Sequence, residues 1–339
     1  ALQLLLQHAD DFLAQGRMRL LHRWLTALPP EVLAPHPRLQ VVAVWAQCFT
    51  QGPWAAQRQL DASACASSSD AQVQAQVRAL QPMLLAMMDR FDEAYAAGQL
   101  SLARLPSPSA FADSVLLNAM AHIGSVMGQQ VEAHRRLDAA RRTHAGSTFV
   151  RMYTEAMEGS LDLKEGRLRQ ATARFRIAVS ATPHAPSYTY GNGNAWAGVL
   201  YAGALYEAND LAGAEQLLNV YLPLARDVGL PDHMMASHRM RARIAFGRGE
   251  VDTALQLLSE LEYLGLQRQL PRVVANAKLE RARLLLLQGH GAAARAELAR
   301  AEDPAVWQRV ARLHYASQET DDLPIARWRL DLHLAPALA

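Results

Sequence analysis

The chain has 339 residues, half of them apolar, and 34 basic against 32 acidic side chains leave a net charge of +2. A chain so near balance has no overall field to draw it onto nucleic acid, and no apolar run approaches the roughly 18 residues of a membrane span. Two cysteines without CxxC spacing, Cys48 and Cys65, exclude a disulfide scaffold and a cysteine zinc site; placed in different predicted helices, they fit a reducing cytoplasm.

From the first helix onward a short turn recurs every 36–43 residues, at Gly16, Gly52, Asp89, Gly128, Gly166, Asn209, Gly249 and Gly289. Five positions after the last six stand Ala94, Ala133, Ala171, Ala214, Ala254 and Ala294. Seven positions before a turn stand Ala9, Ala121, Gly159, Ala202, Ala242 and Ala282, with Trp45 and Pro82 as exceptions. Nine positions after stand Leu25, Leu137, Phe175, Leu218, Leu258 and Leu298, with Asp61 and Gly98 as exceptions. A fixed period of this length marks a stacked repeat, whose array lengthens without enlarging one central core.

In chain order the predicted hairpins span 1–28, 37–64, 70–104, 109–143, 147–181, 186–228, 231–265 and 269–301. Breaks between them carry Pro29, Pro30, Pro35 and Pro37, then Ser67, Ser68 and Ser69, then Pro106 and Pro108, Pro183 and Pro186, Pro231 and Pro271. Pro82 falls inside the first helix of the third hairpin, where a kink is expected. In the seventh, Pro231 opens a helix, Gly249 permits its left-handed end, and Val251, Ala254, Leu255, Leu258 and Leu261 form one apolar face of the second helix. Gly265 is expected to close that helix. Past Pro304 come another helix and one more near 322–333. The chain opens without methionine and begins and ends in helical pattern, so it reads as a piece of a longer protein and as one superhelical domain over 1–339.

The turn glycine, the small residue seven before it and the alanine five after it resemble the tetratricopeptide repeat (TPR), in an extended form. At the N-terminus Ala14-Gln15-Gly16-Arg17 leads into Arg23-Trp24-Leu25-Thr26-Ala27-Leu28-Pro29, then His36-Pro37-Arg38-Leu39 and Ala43-Val44-Trp45. This looks like the start of the superhelical domain of MalT-type regulators, the large ATP-dependent bacterial transcription activators of the LuxR family. Asp321-Asp322-Leu323-Pro324-Ile325-Ala326-Arg327-Trp328 is similar to a late helix of that domain. The resemblance implies an all-α, right-handed, TPR-like α-solenoid of eight to nine hairpins. It also implies an ATPase module upstream, where ATP belongs, and a helix-turn-helix DNA reader downstream.

The chemistry of the chain itself agrees with a sensing rather than a catalytic role. It has no G-x4-G-K-[ST] phosphate loop, so ATP hydrolysis is not expected of it. The closest histidines, His233 and His238, are five apart and point about 140° from each other around a helix, which suits no zinc pair. Gly124-Ser125-Val126-Met127-Gly128 holds its serine in the wrong place for a nucleophile elbow. Arg135, Arg136, Arg141 and Arg142, with Arg239, Arg241, Arg243 and Arg248, read as solvated helix faces rather than phosphate contacts. No cofactor, metal, direct nucleic-acid contact or membrane association is expected.

What remains is the concave surface lined by the first helix of each hairpin, the usual binding face of such arrays. The resemblance places positions 13, 10, 6 and 3 before each turn on it. Those positions include Asn118, His122, Tyr153, Trp196, Tyr206, Arg239, Arg243, Asn276 and Arg283. Aromatic rings beside amide and guanidinium donors suit a polar small molecule or a peptide backbone, and the glycines among residues 188–196 weaken the helix there and favour close approach of a ligand. Ligand contact and ordinary packing between repeats both stay open for Tyr153, Trp196 and Tyr206. The expected function is therefore effector sensing in the cytoplasm: an inducer or regulatory protein in the groove shifts the curvature and so the state of the ATPase and DNA-binding modules. The rivals are a peptide-gripping adaptor scaffold unrelated to transcription and, further off, a solenoid enzyme.

Overall fold

A computed structural model describes residues 2–143, 147–180, 192–228, 230–314 and 323–334. The first hairpin pairs α1 (Leu2–Ala14) with α2 (Met18–Thr26). After a one-turn helix, α3 (Pro30–Leu33), the second pairs α4 (Pro37–Gln51) with α5 (Pro53–Ala62), and the third α6 (Ala71–Met87) with α7 (Phe91–Leu102). The fourth is α8 (Ala110–Val126) and α9 (Gln130–Thr143), the fifth α10 (Thr148–Lys164) and α11 (Leu168–Ser180). The sixth is α12 (Asn192–Glu207) and α13 (Leu211–Val228), the seventh α14 (Pro231–Gly247) and α15 (Val251–Gln267), the eighth α16 (Pro271–Leu287) and α17 (Gly291–Ala301). Then come α18 (Pro304–Arg312) and α19 (Leu323–Leu334). The described residues contain no strand. This is the all-α, TPR-like solenoid that the repeat predicts; the breaks at Pro183 and Pro186 and the glycine-bearing residues 188–191 lie outside the described residues.

All eight marked turns enter positive φ: six glycines between 73° and 91°, Asp89 at 63° and Asn209 at 62°. At seven of them the amide following the turn residue donates to the carbonyl five residues back, at 2.8–3.0 Å, while the turn residue's own amide reaches three back. This double bond pattern satisfies carbonyls that the helix end orphans, and it needs one residue in the left-handed region. Gly52 differs: with φ 91° and ψ 173° it is a single-residue corner between α4 and α5. Other helix starts are set by side chains. Asp70, Ser109, Ser147 and Asp303 each accept a first-turn amide, and proline occupies the opening position of α4, α5, α16 and α18.

The small positions behave as the spacing predicts. The six alanines five after a turn are completely buried, and so are Ala202 and Ala242. Where the position nine after a turn holds a large ring, Phe175, the position seven before is glycine: a Cβ on Gly159 would meet the ring at 2.5 Å. Two expectations need correction. α15 does not end at Gly265 but continues to Gln267, and the left-handed residue is Gln269, φ 55°. Gly265 instead lets the next helix approach, since a Cβ there would meet Val274 Cγ2 at 2.8 Å. Cys65 is not helical but lies in the turn after α5. Pro82 lies inside α6, as expected, and the helix runs through it.

By packing, the helices fall into two units, residues 1–201 with 223–230, and residues 202–222 with 231–339. In the first, the leading helices pack in sequence, α1 on α4, α4 on α6, α6 on α8 and α8 on α10, and α10 returns to α1. The return contact is specific. Ser147 Oγ donates to the Ala14 carbonyl at 2.7 Å, and Gly16 lies so close to Phe149 that a Cβ would stand 2.5 Å from the ring. In the second unit α14 to α17 pack consecutively and α19 covers α16 and α17, burying Leu279, Leu298 and Leu330. Among the described residues no helix is long and apolar enough to cross a membrane.

Candidate functional site: the leading helices of the hairpins

In the first unit the circuit of leading helices surrounds an aromatic cluster. Trp45 stacks on Phe49 and meets Phe111 edge-on at 5.4 Å. Phe49 meets Phe149 at 5.6 Å and Tyr153 at 6.0 Å, and Phe149 meets Tyr153 at 5.0 Å. Between hairpins two and five the inner face is thus occupied by the protein's own rings. Tyr153 belongs to this cluster, and burial, followed by the nearby Cys48, raises its phenol well above its usual pKa. His122 and Trp196 are brought together, rings perpendicular and 4.9 Å apart, and Phe91 meets the same imidazole at 5.7 Å.

Polar atoms on these helices carry the chemistry. Asn118 is buried and its Nδ2 donates to the Ser114 carbonyl at 2.9 Å. Its Oδ1 has no hydrogen-bond partner among the described residues; nor have Ser114 Oγ, Trp45 Nε1 and Gln76 Oε1, all shielded from solvent. Burying a polar group unpaired costs about 1–3 kcal/mol. Ser125 is held differently, accepting from Lys164 Nζ at 2.9 Å.

In the second unit the expected donors converge on one carboxylate. Arg243 clasps Glu280 through two bonds of 2.6 Å, and Arg283 reaches Glu280 at 3.0 Å. Glu280 lies nine before its turn, outside the four offsets, so the offsets miss it; its signal is the acid three before Arg283. Arg239 and Asn276 are buried, and beside them Arg272 pairs with Asp232 at 2.5 Å. Tyr206 is half-buried at the end of α12. The offsets therefore gather Arg243 with Arg283, and His122 with Trp196, while Asn118 bonds back to its own helix and Tyr153 packs in the aromatic cluster.

The arginine clusters are not simply solvated faces, because helix-to-helix ion pairs take them up. Arg136 is buried and donates to the Met120 carbonyl at 2.9 Å. Arg141 pairs with Glu158, and Arg174 joins Glu158 to Asp162. Arg248 holds Glu215 at 2.7 and 2.9 Å. Among the described residues no group of three or more His, Cys, Asp or Glu could hold a metal ion.

The sequence pattern described as the MalT-like TPR region matches residues 75–337. The chain belongs to this family. Among curated proteins the MalT-like TPR chain is similar to the serine/threonine-protein kinase PknK of Mycobacterium tuberculosis, in the CDC 1551 / Oshkosh and H37Rv strains, and of Mycobacterium bovis. Identity is 26% over 303 residues, covering 84% of this chain and 26% of each relative. The chain thus spans about a quarter of the length of the relatives it matches.

Proposed function

We propose that this MalT-like TPR region is the sensing segment of a larger regulator, taking up a polar effector against the leading helices and passing the change to attached modules. The region itself is non-catalytic in this reading. The observation that carries it is the set of buried, unpaired polar atoms on three successive leading helices: Trp45 Nε1 on α4, Gln76 Oε1 on α6, Ser114 Oγ and Asn118 Oδ1 on α8. Shut from solvent, these atoms are reached only as the leading helices part, so a polar effector that pairs them recovers what folding leaves unpaired and couples uptake to a shift of the helices. The His122–Trp196 pair offers a ring surface in the same unit; the second unit, taken by itself, has donors of its own in Arg239, Arg243, Asn276 and Arg283. Tyr153 contributes an apolar wall more than a hydrogen bond.

Native mass spectrometry of the purified protein tests this. A small molecule carried by the wild type and lost from Asn118→Leu, with an unchanged melt, supports the reading. A chain that carries none from lysate, or a variant that carries it equally well, overturns it.

The attached module receives a second reading from the relatives. The resemblance points to an ATPase and a DNA reader, whereas the matched proteins bear the name of a serine/threonine kinase. We infer that the same sensing segment serves either output. Transfer of labelled phosphate from ATP to protein by the full-length regulator favours the kinase; operator binding without such transfer favours the transcription activator.

A further inference from the structure

Ahead of the matched span, α2, α3, α4 and the end of α5 line an open cavity of about 590 Å³. That size suits a small molecule. Its lining contains no lysine, arginine, aspartate or glutamate. The one basic side chain is His22, whose imidazole burial pushes below its usual pKa, so the walls carry no formal charge at neutral pH.

The polar side chains of the lining divide into two groups. Some are engaged in building the wall. Gln40 Nε2 donates to the Leu33 and Ala34 carbonyls at 3.0 and 2.8 Å, and its Oε1 accepts from the Ala64 amide at 3.1 Å. Thr26 and Ser63 each donate to a helix carbonyl at 2.7 Å. The other group, His22, Gln47 and Gln59, makes no side-chain hydrogen bond among the described residues. Gln59 is half-buried, and its Oε1 is turned out of solvent without a donor, so no hydrogen bond holds this carboxamide from turning its acceptor towards a guest. Leu25, Leu28 and Leu33 supply an apolar surface beside it.

We propose that this cavity is a second binding site, for a small uncharged molecule that presents an amide N–H next to an aliphatic portion. An ion entering neutral walls loses hydration without a counter-charge. A purely aliphatic guest leaves the Gln59 oxygen unpaired. An amide carries a donor and an acceptor side by side, the complement of the two carboxamides, and its aliphatic part covers the leucines.

Saturation-transfer NMR on the intact chain separates these cases. The probes are N-butylacetamide; butyl acetate, of nearly the same shape without the N–H; and hexanoate and hexylammonium as charged counterparts. The wild type transfers saturation to the amide about threefold or more strongly than to the ester or either ion, as expected for one hydrogen bond. Gln59→Leu and Gln47→Leu each abolish that preference. Equal transfer to amide and ester, stronger transfer to an ion, no transfer to the amide, or an unchanged preference in both variants would overturn the site. Melts accompany each variant, and Gln47→Leu, on a half-buried side chain, decides the matter if Gln59→Leu fails to fold.

Discussion

His233 enters α14 two residues after Pro231 and is buried. Burial lowers its pKa from 6.5 to about 4, against the opposing pull of Asp232. The folded form therefore refuses a proton that the unfolded chain accepts between those values. The stability this group protects is complete above pH 6.5 and is lost as pH falls towards 4, by up to about 3 kcal/mol. Urea midpoints at pH 7 and 4.5 check this: the wild type loses more on acidification than His233→Gln. Gly159 is the other residue where one atom matters. Gly159→Ala places a methyl against Phe175, and overpacking of this kind costs about 1–3 kcal/mol; a melt equal to the wild type would contradict the pairing of ring with glycine. Spacing alone marked both residues, each at a fixed distance from Gly166, but gave no sign that they touch.

At the level of the helix pair, all eight turns could be read because seven end in the same double hydrogen bond, and glycine, aspartate or asparagine holds the left-handed residue. The ninth such residue, Gln269, was not legible: glutamine has no special tolerance of φ 55°, so nothing in its type announces a turn. Gly265 took its place in the reading because a glycine that ends a helix and one that admits a neighbour look alike in sequence. Gln269→Gly, at an exposed position, relieves the backbone and is expected to stabilise by about 0.5–1 kcal/mol after the added freedom of the unfolded chain is subtracted. Chemical denaturation measures it, and a loss of stability would count against strain there. The same limit governs the binding face. Offsets find residues on one helix, such as Asn118, His122 and Arg243, but give no sign of partners such as Phe149 or Glu280, which arrive from other hairpins or other offsets.

Across the first unit, a linear repeat would leave each hairpin in touch only with its neighbours. Here the first and fifth meet through Ser147 and Ala14, 133 residues apart in sequence. Ser147→Ala removes that bond and the cap on the Val150 amide together, at about 1–2 kcal/mol. Hydrogen exchange reports where the loss falls: the Gly16 and Arg17 amides, distant in sequence, speed up along with the start of α10. Exchange confined to α10 would mean that the contact carries no stability. A joined circuit also changes how the unit answers a pull. An open stack stretched from its first helix peels away one pair at a time, in many small steps. With Gly16 seated on Phe149, the leading pair is held at two places at once, so tension applied there must break both, and the extension trace shows a single larger release before the remaining pairs let go.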